Sequence, residues 1–202
     1  MQDLYLVVGL GNPGAEYSRT RHNAGFLVVD RLAERWRVRW NYEKKFNARV
    51  ARAEKGDRTA LLCQPQTYMN SSGEAINAVA QFYRVPVGRL IIVMDDADLP
   101  LGVLRLRPSG SSGGHHGLES IEQHLGTSEY ARLRVGIGRQ NGAPQITGHV
   151  LGRFSSTEAA LMDKVLTVAS DQLECWLEAG IQKAMNQFNG AVTGPENEGK
   201  KQ

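Results

Sequence analysis

Leu4 to Val8 is an unbroken apolar run that stops at Gly9, the pattern of a strand buried on both faces. Leu90 to Met94 repeats that pattern and ends on Asp95-Asp96. Residues 48–53 and 59–63 predict two more strands joined by the turn Lys55-Gly56-Asp57. Val103 to Arg107 alternates apolar with basic residues, as a strand with one wet face does, and Leu133 to Ile137 predicts another strand. Helical spacing appears at Phe26, Val29, Ala33 and Trp36, with Asn23 as a possible cap. Ser71-Ser72-Gly73-Glu74 reads as a capping box ahead of Ile76, Val79, Ala80 and Tyr83. Gly117 to Leu125 predicts a short helix, and Thr157 to Phe188 a long amphipathic stretch broken near Gly180. Residues 9–23, 109–117 and 140–148 read as loops, and the tail from Thr193 as disordered. Strands and helices alternate without a linker or an internal repeat, so the expectation is one α/β domain over residues 1–192.

Composition narrows the class. The 202 residues are 41% hydrophobic and 22% charged, which fits a globular chain and not a disordered one. No apolar run reaches membrane-spanning length, and Met1-Gln2-Asp3 does not open a secretion signal. Cys63 and Cys175 lie far apart without metal spacing, which leaves no disulfide framework and points to the reducing cytoplasm. The net charge of +3 hides an uneven distribution: +5 over residues 1–58, −2 over 59–98, +3 over 99–157 and −3 over 158–202. Arginine supplies 17 of the 24 basic residues, and its planar fork suits phosphate oxygens. A nucleic-acid partner is therefore open.

The chemistry-bearing residues cluster after strand ends. Gly9-Leu10-Gly11-Asn12-Pro13-Gly14 fits G-x-G-x-x-G, yet the next helical pattern begins near residue 23, too late for a dinucleotide fingerprint. His22 follows the first strand's carboxyl end and Asp95 closes another, so the two can meet at the rim of an open sheet. A carboxylate beside imidazole fixes its tautomer and makes it a general base. No G-x-S-x-G elbow is present and neither cysteine is placed as a nucleophile, which leaves water. Asn70 is either a helix cap or an amide that polarises a carbonyl. His115-His116 has no partner at metal-ligand spacing, so no metal is expected there; the glycine loop near Arg105 and Arg107 could instead cradle phosphate.

Taken together, five blocks resemble the bacterial peptidyl-tRNA hydrolase family: residues 9–25, Pro65–Asn70, Asp95–Pro100, Gly113–Leu118 and Arg132–Gly138. The resemblance implies a monomeric cytoplasmic enzyme with a twisted, mixed and mostly parallel sheet between helices. It also implies hydrolysis of the ester joining peptide to tRNA, no cofactor, no obligate protein partner and no membrane. Contact with the tRNA acceptor stem and 3′ end is part of the same expectation. By position, His22 matches the water-activating base and Asp95 its support, while Asn12 matches the residue that tells blocked from free aminoacyl groups. Tyr17, Tyr68 and Asn70 match substrate contacts, and Arg105, Arg107 and Arg134 match positions facing the tRNA backbone. One position departs, since the family's Gly-His-Asn-Gly loop has His116 in place of asparagine. If His116 stands near the base, acid would turn it into a donor-only cation that depresses His22. Two other classes stay open: an RNA-binding protein of this fold without turnover, and a nucleotide-binding oxidoreductase.

Overall fold

In the computed structural model, which describes residues 3–139 and 146–192, the expected buried runs lie side by side. Strand β1 (Asp3–Gly9) runs parallel to β4 (Arg58–Pro65) on one side and to β5 (Leu90–Asp96) on the other. Val7 sits opposite both Leu62 and Ile91. Strand β7 (Ala131–Gly136) extends the parallel centre beyond β5. Antiparallel strands finish each side. Here β2 (Asn41–Glu43) and β3 (Ala48–Lys55) continue from β4, while β6 (Val103–Arg107) and β8 (Gly190–Ala191) continue from β7. Among the described residues the sheet is thus eight-stranded, in the order β2-β3-β4-β1-β5-β7-β6-β8. It is a mixed sheet whose parallel strands occupy the middle, where both faces must be covered.

Alternation along the central strands divides the core in two. Val7, Leu62, Ile91 and Val93 face α1 (Ala24–Trp36), α5 (Ser156–Ala179) and α6 (Ile181–Phe188). Leu6, Leu61, Cys63 and Ile92 face α2 (Ser72–Tyr83) and α3 (His116–Leu125). The amphipathic stretch that ends at Phe188 does break at Gly180. No helix among the described residues is long and apolar enough to cross a membrane.

Three local expectations are corrected. Ser71 makes no capping hydrogen bond, because it sits inside a 3-10 turn, Met69–Ser71, with non-extended backbone. The amide of Gly73 is satisfied from another helix instead, by Ser120 Oγ at 3.0 Å. Gly73 makes that approach possible: a Cβ there would stand 2.1 Å from the Ser120 carbonyl oxygen. A complete capping box forms at Ser155 and Glu158, at the start of α5. Asn23 does not cap α1 either, because its side chain is engaged elsewhere. The end of the loop expected over 140–148 is helical instead, in the short helix α4 (Ile146–Val150). The remainder of that expected loop, around Asn141-Gly142, and the tail from Thr193 lie outside the described residues.

Candidate active site

The carboxyl ends of β1, β5 and β7 open onto one side of the sheet, where α/β folds place their sites. After β1 the chain passes through Leu10–Gly14 without starting a helix; α1 begins only at Ala24, as the late helical pattern predicts. Gly25 lets the start of α1 press onto the strand ends: a Cβ there would lie 2.3 Å from the Val93 carbonyl oxygen and 2.4 Å from the Leu10 nitrogen. That close approach brings the 3-10 turn Arg21–Asn23 over the end of β5.

His22 and Asp95 meet there. His22 Nδ1 lies 3.0 Å from both oxygens of Asp95. The same carboxylate receives a second histidine, His115, whose Nε2 is 3.1 Å from Oδ1. Asp95 is buried, with 2% of its surface exposed. Burial alone would raise its carboxyl, but hydrogen bonds from His115 and His22, with their electrostatic attraction, outweigh it and hold the group at about 2. An ionised carboxylate only accepts, so in the neutral ring of His22 the proton sits on Nδ1 and Nε2 keeps a lone pair. His115 is set from its other side: its Nδ1 accepts from the Gly117 amide at 3.1 Å, capping α3.

Asn12 is fixed just as closely. Its Oδ1 accepts from the Met69 amide at 2.8 Å, and its backbone N–H and C=O are both held by the Asn23 side chain at 2.9 Å. Among the described residues Nδ2 has no protein acceptor, and Asn12 lines the same cavity as His22 and Asp95. This cavity, of about 780 Å³, has Met94, Leu118, Val150 and Leu151 among its apolar lining. The Ser/Gly loop 109–114 lines it too, with Arg107, Arg132, Arg134 and Arg139.

The other expected residues are spread more widely. His116 and Arg134 line the cavity with Arg107, whereas Tyr17, Tyr68, Asn70 and Arg105 do not. Tyr68 is 62% exposed and flanks the Met69–Ser71 turn, with Asn70 inside it. Arg134 is ion-paired through Nε with the buried Asp96, so part of its charge is already engaged. His116 is paired with Glu119 and not with the buried carboxylate, its Nδ1 3.1 Å from the glutamate and its side chain 76% exposed. The histidine that joins His22 is therefore His115. Sequence spacing paired neither His115 nor Asn23 with these partners. Their one legible signal is position, since each stands at the start of a helix, where a side chain is free to turn back.

His22, Asp95 and His115 bring three ligand-type atoms within 4.8 Å of one another. Their hydrogen bonding does not fit a metal centre. A metal-bound histidine donates from its second nitrogen, whereas that nitrogen of His115 accepts from the Gly117 amide. The cluster is built to hold protons: one buried acceptor, two imidazole donors and a cavity in front. Such an arrangement suits acid–base catalysis.

Comparison with known proteins gives the same direction. Residues 6–198 match the family described as peptidyl-tRNA hydrolase. The chain is 46% identical over 196 residues to the peptidyl-tRNA hydrolase of a Synechococcus species, covering 96% of this chain and 88% of the relative. It is 44% identical over 192 residues to that of Gloeobacter violaceus, covering 95% and 97%. The solved peptidyl-tRNA hydrolase of Acinetobacter baumannii superposes with a TM-score of 0.88 at 37% identity, over 95% of this chain and 97% of that one. A 5′-methylthioadenosine nucleosidase of Arabidopsis thaliana shares the fold alone, with a TM-score of 0.53 and 8% identity. The chain belongs to the peptidyl-tRNA hydrolase family.

Proposed function

We propose that this chain hydrolyses the ester between a peptide, or an N-blocked amino acid, and the terminal ribose of tRNA. The observation that carries the reading is the His22–Asp95 pair, which leaves one imidazole nitrogen as a base facing the cavity. His22 Nε2 takes a proton from water as the oxygen attacks the ester carbonyl. Asn12 Nδ2 donates to the developing oxyanion or to the acyl carbonyl of the blocking group. When the tetrahedral intermediate collapses, the ribose oxygen leaves with the proton from Nε2. A positioned base contributes roughly 10²–10⁴-fold, and donors aimed at the oxyanion add to it.

Asn12 supports a preference for blocked substrates. With Oδ1 committed to Met69, it presents only N–H donors, which suit an amide carbonyl and oppose the N–H groups of a free ammonium. Arg107, Arg134 and Arg105 would take tRNA phosphates without reading bases. His116, Tyr17, Tyr68 and Asn70 stand as contacts to the substrate's 3′ end. In this reading the catalytic unit is residues 1–192, acting as a cytoplasmic monomer without metal or cofactor.

The test is release of the N-acetyl amino acid from N-acetyl-aminoacyl-tRNA, with the free aminoacyl-tRNA as comparison. Turnover of the blocked ester and sparing of the free one are expected. No release of the blocked ester by purified protein would overturn the reading.

A further inference from the structure

We propose that Arg21 is a positioning residue, tying the turn that carries His22 to the segment that walls the cavity. The inference rests on the reading of His22 as the base. Arg21 immediately precedes His22 in the 3-10 turn, and its side chain is only 11% exposed. Its Nη1 donates to the Arg153 carbonyl at 2.6 Å, and its Nη2 reaches both oxygens of Glu158 at 3.0 and 2.8 Å. Its backbone amide donates to the Gly152 carbonyl at 3.0 Å, and Thr20 bridges to Arg153 beside it. The guanidinium also lies 5.2 Å from the centre of the Phe154 ring. Every one of these partners falls within residues 152–158, directly after Val150 and Leu151 of the cavity wall.

The far end of the clamp is itself rigid. Glu158 Oε2 receives the Ser155 amide at 2.7 Å as half of the capping box of α5. Helix α5 is seated on the sheet by Met162, Val165, Ala169 and Leu173, all buried. The carboxylate is therefore in place before Arg21 arrives, unlike a surface partner that must be ordered by the pair. A planar fork meets this set of acceptors on one segment, and an ammonium cannot span them all. Catalytic geometry is sensitive on this scale, because a displacement of about 1 Å can cost roughly 100-fold in rate.

The experiment compares Arg21→Gln, Arg21→Lys and Glu158→Gln with the wild type on N-acetyl-aminoacyl-tRNA. Arg21→Gln is expected to lower kcat roughly 10- to 100-fold, with Arg21→Lys between it and the wild type. Affinity for deacylated tRNA should stay within about twofold, since its phosphates would meet the arginines that line the cavity, and Arg21 is not one of them. The His22 Nδ1–H resonance, recorded by NMR well below the unfolding temperature, should shift or broaden in Arg21→Gln, which lost stability alone would not cause. Glu158→Gln keeps the helix cap, because glutamine also completes a capping box, so its fall in kcat isolates the clamp. The double variant should be no slower than Arg21→Gln. A kcat within about twofold of wild type and an unmoved His22 resonance in Arg21→Gln would overturn the inference. If Arg21→Gln does not fold, an unchanged kcat in Glu158→Gln would do so. His22→Ala separates the two readings: turnover in it removes the base, while an inactive His22→Ala beside a fully active Arg21→Gln removes only the clamp.

Discussion

The side chain of Asn23 grips both backbone polar groups of Asn12, its Oδ1 taking the amide and its Nδ2 giving to the carbonyl, each at 2.9 Å. Both residues are buried, so Asn23→Ala strands an N–H and a C=O without water. The expected cost is about 2–4 kcal/mol, seen as a fall in Tm of roughly 5–15 °C. Turnover should drop in the surviving folded fraction, because the Asn12 amide loses its frame. Calorimetry together with kcat at 20 °C checks both parts.

Asp95 makes stability depend on acid. Its carboxyl sits at about 2 in the fold, below the ordinary aspartate value near ~3.9. A lowered carboxyl adds stability that is complete above pH ~4 and is lost as pH falls toward 2. The amount is about 2–3 kcal/mol. Asp95→Asn should therefore be less stable than wild type at neutral pH and approach it below pH ~3. Urea midpoints measured across that range give the comparison. The variant should also hydrolyse slowly, because an amide offers one acceptor oxygen where two imidazoles each need one.

Arg107 and Arg134 share the cavity but predict different losses. Arg107 is exposed on β6 and belongs to no ion pair among the described residues. Arg107→Ala should raise KM with little change in kcat, flatten the log–log salt dependence of tRNA binding by about one, and leave stability within about 0.5 kcal/mol. Arg134→Ala removes the partner of buried Asp96 and should destabilise by roughly 2 kcal/mol besides weakening binding. Paired binding and melting curves tell the two apart.

His116→Asn should leave kcat/KM within about threefold from pH 5.5 to 8. The imidazole faces Glu119 and solvent, while the buried carboxylate is occupied by His115. A pH–rate profile that changes shape in the variant would place His116 beside the base after all.

What the sequence made legible was whatever depends on period or on strand ends. Continuous apolar runs located β1 and β5, and the ends of those strands brought His22 and Asp95 together. Asn12 could be singled out because glycine dihedrals explain its neighbours and leave an amide unexplained. Illegible were contacts made across the fold by side chains with a local alternative. Ser71 and Glu74 have capping-box spacing, but a serine on α3 serves the Gly73 amide. Asn23 has the identity of a cap but spends its amide on Asn12, and His115 looks like loop decoration until the glycine loop folds back onto β5. At Ser71 and Asn23 local propensity and the tertiary partner compete, and burial decides for the partner, whereas His115 serves its helix with one nitrogen and Asp95 with the other.

The strand order ties catalysis to the timing of assembly. His22 and Asp95 are 73 residues apart, and they face each other only through the pairing of β1 with β5. Strand β5 is flanked by β1 and β7, both parallel to it and both joined to it by long crossovers. Non-local pairings of this kind form slowly, because loop closure is unfavourable until the sheet surface is gained. A refolding chain can recover most of its helical circular dichroism while base and carboxylate are still strangers. The return of ester cleavage then reports closure of the β1–β5 pairing, making the enzyme's own turnover a clock for that step of its folding.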